Sequence, residues 1–231
     1  MADFPKYTSV TFLDKLPVRV SAQLHRQDCA NHFHRNIQLV HVLSGTLWHT
    51  VNEKLYLQTA GTGSPLLPFV PHITDLMHSD DTPVVIFCSF FDSFLTDRGI
   101  EFFPYGGNLA HFEGKHIPVS YRSDDASPIF REMLNEFNLE KKMSIDRIAE
   151  LVCSFFRCIC KEPMDKREGA VLKKQLSGIN RVIDYVDENY PRKLEIDDMC
   201  EIAEMSRSTF TSRFRQITGR SFAELLLAKA P

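Results

Sequence analysis

Several features that would place the chain in a common class are missing from its sequence. No apolar run reaches the about 18 residues of a membrane-spanning helix, and the N-terminal "MADFPKYTSVTFLDKL" has neither the basic nor the apolar region of a secretion signal. There is no Ser/His/Asp or Cys/His arrangement in a recognisable context, no glycine-rich phosphate loop and no internal repeat. The sequence therefore predicts a cytoplasmic protein without membrane contact, and it nominates no catalytic residue.

The sequence also lacks a disulfide framework and a large net charge. The six cysteines, at positions 29, 88, 153, 158, 160 and 200, lack the spacing of a disulfide framework, which is typical of a reducing compartment. Three of them fall in the apolar, helical pattern "LVCSFFRCICKE", which favours buried thiols over metal ligands. A formal net charge of −3 means that any contact with nucleic acid must come from a local basic patch.

The first two thirds of the chain change from strand to helix patterns near Asp125. Before that point, short β-branched and aromatic runs such as "IQLVHVLSGTLWHTV" and "TPVVIFCSFF" alternate with turns, which predicts a small barrel or sandwich. After it, "SPIFREMLNEFNLEKK" and "SIDRIAELVCSFFRCICKE" have helical spacing. The two helices could cover the barrel, pair with another subunit, or do both; the stripe of Ile145, Leu151, Phe155 and Phe156 fits either role.

The C-terminal part is predicted to be a separate helical segment. The charged stretch "KEPMDKREG" has little to bury, and we interpret residues 161–170 as a linker. From residue 171 to residue 231 the patterns are helical, with a short helix in "EIDDMCEIAE", a tight break, and a second helix that Ser206 caps and Gly219 ends. The expected fold class is α+β.

The stretch "SRSTFTSRFRQITGR" carries four arginines and no carboxylate. If Phe210, Phe214 and Ile217 face inward, the polar and basic residues between them face outward, as in a helix-turn-helix whose second helix enters the major groove. Arginine there would neutralise phosphate, and an acid would oppose it. The alternative is an ordinary solvated helix face, but such a face usually contains some acid.

The segment "INRVIDYVDENYPRKLEIDDMCEIAEMSRSTFTSRFRQITGRSFAE" resembles the first helix-turn-helix of AraC/XylS-type transcription regulators. The resemblance implies that Ser208, Thr211 and Ser212 read bases, while Arg207 and Arg215 contact the DNA backbone. The family often has glycine where this chain has Glu204. Its module has two such units, and the sequence ends at "SFAELLLAKAP", inside the connecting helix. We therefore expect an incomplete DNA-binding segment over residues 171–231, either truncated or naturally weaker in binding.

The stretch "HFHRNIQLVHVLSG", together with Pro71-His72, resembles the two motifs of a cupin barrel, the usual sensing domain of AraC-type regulators. In metal-binding cupins two histidines, a glutamate and a later histidine hold a divalent ion; here Gln38 replaces the glutamate. The residues could line a small-molecule pocket, hold a metal, or be structural. The lost carboxylate favours the pocket, and we expect neither metal nor cofactor. The expected ligand-binding residues are His32, His34, Gln38, Trp48 and His72.

The resemblance implies a ligand-responsive regulator that binds DNA and an unidentified small-molecule effector, with no enzymatic activity. Residues 1–160 would form a cupin-like sensing and dimerisation domain, and the protein would be a homodimer. Two alternatives stay open: a metal-dependent cupin enzyme with a helical appendage, and a DNA-binding-deficient partner of a full-length regulator.

Overall fold

The N-terminal part of the chain forms two five-stranded sheets that pack face to face. The computed structural model describes residues 6–7, 16–24, 29–75, 82–91, 93–98, 117–138, 144–160 and 166–229. The strands are β1 (Lys6–Tyr7), β2 (Val18–Leu24), β3 (Cys29–Phe33), β4 (Ile37–Ser44), β5 (Thr46–Val51), β6 (Lys54–Thr59), β7 (Thr62–Leu66), β8 (His72–Asp75), β9 (Val84–Phe90) and β10 (Tyr121–Arg122). One sheet has the order β1-β3-β8-β5-β6 and the other the order β10-β7-β4-β9-β2. Among the described strands, β1 pairs with β3 in parallel and every other pair is antiparallel.

The helices follow the strands, except for one short helix that precedes β10. They are α1 (Ser93–Thr96), α2 (Ala126–Phe137), α3 (Ile145–Ile159), α4 (Lys166–Asn189), α5 (Ile196–Ala203), α6 (Arg207–Thr218) and α7 (Phe222–Lys229). Strands followed by helices confirm the α+β class. None of the described helices combines the length and the apolar character that a bilayer-spanning segment needs.

Helices α2 and α3 cover the sheet that contains β4 and β9. The ring of Phe155 in α3 lies 5.1 Å from that of Phe130 in α2 and 5.1 Å from that of Tyr121 in β10. Leu151 and Phe156 are 4% and 0% exposed. Three of the four side chains in the α3 stripe are therefore buried within one subunit and are not available to a second one; Ile145 is partly buried.

Helix α4 begins at Lys166, inside the segment interpreted as a linker. The charged run is compatible with a helix, because Lys, Arg, Glu and Ala are good helix formers and a single Gly169 costs only about 1 kcal/mol. The role of this segment as a linker stays a prediction. Residues 161–165 of the expected linker lie outside the described residues.

Helices α4 to α7 share a second apolar cluster. Gly178 of α4 lets α5 approach closely, because a Cβ at this position would lie 2.7 Å from the carbonyl oxygen of Ala203. The break after α5 passes through Glu204, which has φ 56° and ψ 43° in the left-handed region that glycine prefers. The geometry explains why glycine suits this position better than glutamate.

The same cluster extends onto the barrel. Tyr7 of β1, Phe33 of β3 and Phe69 of the β7–β8 connection pack with the helices of the C-terminal part. We call this contact the junction. Two ion pairs flank it: Arg35 with Asp184, and Lys229 with Asp187, whose carboxylate also accepts a hydrogen bond of 3.1 Å from the Tyr7 hydroxyl.

Candidate nucleic-acid interface and histidine cluster

Helix α6 is fixed at both ends and along its underside. The Ser206 side chain accepts a hydrogen bond of 3.3 Å from the backbone N–H of Thr209, and Gly219 ends the helix at φ 73°. Phe210 and Phe214 are 0% exposed and Ile217 is 3% exposed. The predicted inward face is confirmed, and it anchors α6 to α4, α5 and α7.

The outward face of α6 is polar, and the carboxylates that interact with its arginines belong to α5 and α7: Asp197 with Arg207, and Glu224 with Arg215. The Arg207 guanidinium lies 3.1 Å from an Asp197 carboxylate oxygen, with both side chains largely exposed. The Thr211 hydroxyl donates to the Arg207 carbonyl at 2.8 Å, so its methyl group and remaining lone pair are free to face a ligand. The five predicted DNA-binding residues are all exposed: Arg207, Ser208, Thr211, Ser212 and Arg215.

Arg220, the last of the four arginines, is not on that face. Its guanidinium carbon lies 3.9 Å from the centre of the Phe33 ring of the barrel. Burial of the side chain lowers its pKa, as expected of a cation held in the junction. Arginine content alone indicated a single basic surface, but one of its members stabilises the contact between the two parts of the chain.

The predicted histidines come together between the two sheets. His32 of β3 is directly opposite His72 of β8, with ring centres 4.2 Å apart, and the His34 ring lies 4.9 Å from that of His72. One ring nitrogen from each lies within 4.8 Å of those from the other two. Gln38 of β4 reaches the group from the opposite sheet, with Oε1 3.3 Å from His34 Nε2. We call His32, His34 and His72 the histidine cluster.

Each imidazole of the cluster is held through Nδ1. The Nδ1–H groups of His32, His34 and His72 donate to the carbonyls of Ala30, Asn36 and Val70 at 2.8, 2.9 and 3.0 Å. His34 and His72 are each 2% exposed, while His32 is half-buried. Burial lowers the pKa of all three, that of His34 to about 4, so the neutral form prevails at neutral pH.

Trp48, which was also expected to bind the ligand, lies apart from this group. Successive side chains of β5 point to opposite faces, and Leu47, His49 and Val51 take the buried face. Trp48 lies on the other face, opposite Leu57, which is 52% exposed. His49 lies inside instead, with its ring centre 6.0 Å from that of His72.

A second buried histidine site was not singled out by the sequence. His41 Nδ1 lies 2.9 Å from the Tyr121 hydroxyl and Nε2 lies 2.8 Å from the Ser127 hydroxyl. Its ring stacks on Phe130 at 4.6 Å. Because both nitrogens have protein partners, His41 joins β4 to β10 and α2 and has a structural role.

Comparisons with known proteins agree with the geometry of α5 and α6. Residues 186–227 match the family of bacterial regulatory helix-turn-helix proteins, AraC family. The segment that contains α5 and α6 therefore carries an AraC-type helix-turn-helix. No curated protein is significantly similar to it in sequence.

Two similar solved structures are of ToxT from Vibrio cholerae. The first, from strain SCE256, has an unsaturated fatty acid bound. It is 13% identical to this chain with a TM-score of 0.58, and the alignment covers 91% of this chain and 76% of the ToxT chain. The second, from strain O395, has (E)-4-(8-methylnaphthalen-1-yl)but-3-enoic acid bound. It is 15% identical to this chain with a TM-score of 0.58, and the alignment covers 91% of this chain and 79% of the ToxT chain. The chain therefore shares its fold with ToxT across both the sheets and the helices.

Proposed function

We propose that the protein is an AraC-type regulator that binds DNA through the outward face of α6 and responds to a ligand that enters the barrel. The observation that carries the proposal is the exposed, carboxylate-free surface of α6 on a buried aromatic underside. We place the regulator in the cytoplasm, with residues 1–160 as the sensing part and 171–231 as the DNA-binding part. We propose no enzymatic role, and the AraC-family match supports that choice.

In this proposal the α6 side chains have two roles. Ser208, Thr211 and Ser212 have short side chains that can reach base edges with single hydrogen bonds or, for threonine, a thymine methyl contact. Arg207 and Arg215 bind phosphate. The Arg207–Asp197 pair is exposed on both sides and contributes only about 0–1 kcal/mol, so a phosphate can replace the carboxylate.

Alanine substitution and salt dependence test these roles. Arg207→Ala and Arg215→Ala should each weaken binding to a random-sequence duplex and lower the slope of log K against log salt concentration by about one unit. The matched control is Arg157→Ala, since Arg157 is an exposed arginine at the end of α3. Equal slopes for all three variants would contradict the proposal.

Base reading is tested by selection of preferred sequences from a random duplex pool. Thr211→Ala should change the preference at one base pair by about 1–3 kcal/mol without changing the salt slope. A loss of affinity that is the same for every sequence would instead assign Thr211 to the DNA backbone.

The ligand site that we propose consists of His32, His34, Gln38 and His72. ToxT was solved with a fatty acid and with a naphthalenyl butenoic acid bound, which supports a ligand-responsive barrel by similarity of fold. A ligand shifts the presentation of α6 only if it binds the two arrangements of the junction with different affinities. Thermal unfolding of the chain with candidate ligands, read together with DNA affinity, tests this coupling.

We also propose a homodimer, with an interface away from the buried α3 stripe. Light scattering after size-exclusion chromatography tests it: a monomeric mass at all accessible concentrations rejects the dimer. The enzyme alternative depends on the histidine cluster and predicts turnover that His34→Ala abolishes.

A further inference from the structure

Strand β6 lies at one edge of its sheet and carries two exposed leucines. Among the described strands it pairs with β5 alone. Leu55 is 60% exposed and Leu57 is 52% exposed. Across the ladder they lie opposite Thr50 and Trp48 of β5, on the same outer face of the sheet. An exposed apolar edge strand is a template for pairing with another chain.

The other described sheet edges are protected from such pairing. Strands β1 and β10 have two residues each, too few for a ladder with another chain. Strand β2 is longer, but its outward positions are polar: Arg19, Ser21 and Gln23. In the part of the chain that the structure describes, β6 is therefore the edge that combines length with apolar outward side chains.

The turn before β6 determines which of its backbone groups face the free edge. Both residues of the turn 52–53 have positive φ, 49° and 67°, as in a two-residue type I′ hairpin. Val51 and Lys54 close that turn as a hydrogen-bonded pair, and such pairs recur at every second residue of the ladder. The N–H and C=O groups of Lys54 therefore point to β5, and those of Leu55 and Leu57 point away from it.

These edge groups favour one symmetric register between two copies. The described backbone bonds outside helices and strands do not involve Leu55 or Leu57. The Thr59 N–H, in contrast, donates to the Thr62 hydroxyl at 2.8 Å, and the Thr59 carbonyl accepts from that hydroxyl at 2.7 Å. An antiparallel pair with its twofold axis at Tyr56 places each Leu55 opposite Leu57 of the other copy and uses the N–H and C=O of both. An axis at Leu57 would place Leu55 opposite Thr59, whose groups are already engaged.

We infer that a second copy of this chain pairs with the edge of β6, antiparallel and with Leu55 opposite Leu57. The inference rests on the homodimer of the proposed function and names its interface. The leucines of both copies then form one apolar strip on the outer face, bordered by the two Trp48 side chains. Because the contact is symmetric, it closes on itself and leaves no β6 edge for a third chain.

Charge complementarity supports this register. The register places the exposed Glu53 of one copy beside Thr59 of the other. The Thr59 hydroxyl accepts a hydrogen bond of 3.2 Å from the exposed Arg122 guanidinium, so a carboxylate meets a guanidinium at each end of the paired strands. Within one chain the length of β6 separates Glu53 from Thr59 by about 20 Å. The attraction between Glu53 and Arg122 therefore acts between copies.

Light scattering of the full chain after size-exclusion chromatography, over a dilution series, tests the interface. Leu57→Asp should raise the dissociation constant of the dimer at least about tenfold, because the twofold axis places two carboxylates against apolar side chains. Leu24→Asp is the matched control, since Leu24 is 55% exposed at the end of β2; its dimer should dissociate as the wild type does. Circular dichroism checks that each variant is folded.

The outcomes separate the interface from the homodimer itself. A dimeric wild type with the same dissociation constant as folded Leu57→Asp overturns the β6 interface and keeps the homodimer. A monomeric wild type overturns both and leaves the edge to a different protein. Arg215→Ala should lose DNA affinity and keep the wild-type dissociation constant of the dimer, so a failure of DNA binding is scored separately.

A charge exchange tests the polar ends of the interface. Glu53→Arg should weaken the dimer, and the addition of Arg122→Glu to the same chain should restore it, because each new arginine then meets a new glutamate of the other copy. A double variant that dimerises no better than Glu53→Arg alone overturns the register.

Cysteine pairs test the register directly. The background is Cys158→Ser, which removes the exposed cysteine. Chains with Leu55→Cys are mixed with chains with Leu57→Cys and oxidised. The Cα atoms of a hydrogen-bonded antiparallel pair lie about 5.5 Å apart, within the reach of a disulfide, so the mixed dimer should form in excess over either like pair. Equal yields of the three products overturn the register.

Discussion

The junction residue Phe33 offers the sharpest test of communication between the barrel and α6. Phe33 is 0% exposed, its ring lies under the Arg220 guanidinium at 3.9 Å, and it packs beside the Tyr7 ring at 5.4 Å. Phe33→Leu keeps most of the apolar volume but removes both ring interactions, while α6 itself is untouched. We expect the junction to open more often and DNA affinity to increase.

The magnitude follows from the two contacts that are lost. A cation–π contact contributes about 0.5–2 kcal/mol, and an aromatic pair about 0.5–1.5 kcal/mol beyond its buried area. Their sum, about 1–3 kcal/mol after partial repacking by leucine, shifts the equilibrium between closed and open junction by about 5- to 150-fold. If only the open form binds DNA, the apparent affinity rises by up to that factor.

Fluorescence anisotropy with a random-sequence duplex at fixed salt measures the effect. Phe94→Leu is the matched control, because Phe94 is 1% exposed and lies under Arg98 at 4.9 Å, but belongs to the barrel core. That control should lower the unfolding temperature of the barrel without changing DNA affinity. Equal DNA affinities for wild type and Phe33→Leu, with both folded, would refute the idea that the junction limits binding.

Two further substitutions test local energetics. Glu204→Gly places glycine at a left-handed backbone position and removes the exposed ion pair of Glu204 with Arg181. The free energy of unfolding, measured by thermal unfolding, should rise by up to about 1 kcal/mol, and DNA binding should become tighter. A lower free energy of unfolding would show that the backbone at Glu204 is not strained. Burial lowers the pKa of His41 to about 4 from about 6.5 when unfolded, so between these pH values the unfolded chain binds a proton that the folded chain excludes. The free energy of unfolding therefore falls as the pH falls, by up to about 3 kcal/mol from this group. His41→Gln should make the dependence of the unfolding free energy on pH shallower over that range. Identical curves for wild type and His41→Gln would show that His41 does not cause the pH dependence.

The inward face of α6 could be predicted because the helical period is local. Phe210, Phe214 and Ile217 recur at three- and four-residue spacing, and no other arrangement of that helix buries all three. The histidine cluster followed from the alternation of a strand, which brings His32 and His34 to one face. The pairing of His32 with His72 depends on a strand partner forty residues away, and only the similarity to a cupin barrel indicated it.

The errors have equally specific causes. Trp48 and His49 are neighbours in β5, so one faces inward and the other outward, and aromatic character alone does not say which. Leu47 and Val51 lie on the same face of β5 as His49. Because both are buried, that face is the inner one, and Trp48 lies on the outer face. The position of Arg220 could not be inferred from local pattern, since its partner Phe33 lies on a strand distant in sequence.

The alternation that turns Trp48 away from the histidine cluster also determines how a ligand in the barrel can reach α6. In the run His32-Phe33-His34, the two imidazoles belong to the histidine cluster, and the ring of Phe33 between them faces Arg220. Because the three residues are consecutive in the chain, a backbone shift at either histidine also reorients Phe33. A ligand bound elsewhere in the barrel would have to act through several side-chain contacts. The histidine cluster is therefore the place in the described part of the chain where binding has the shortest covalent path to the junction.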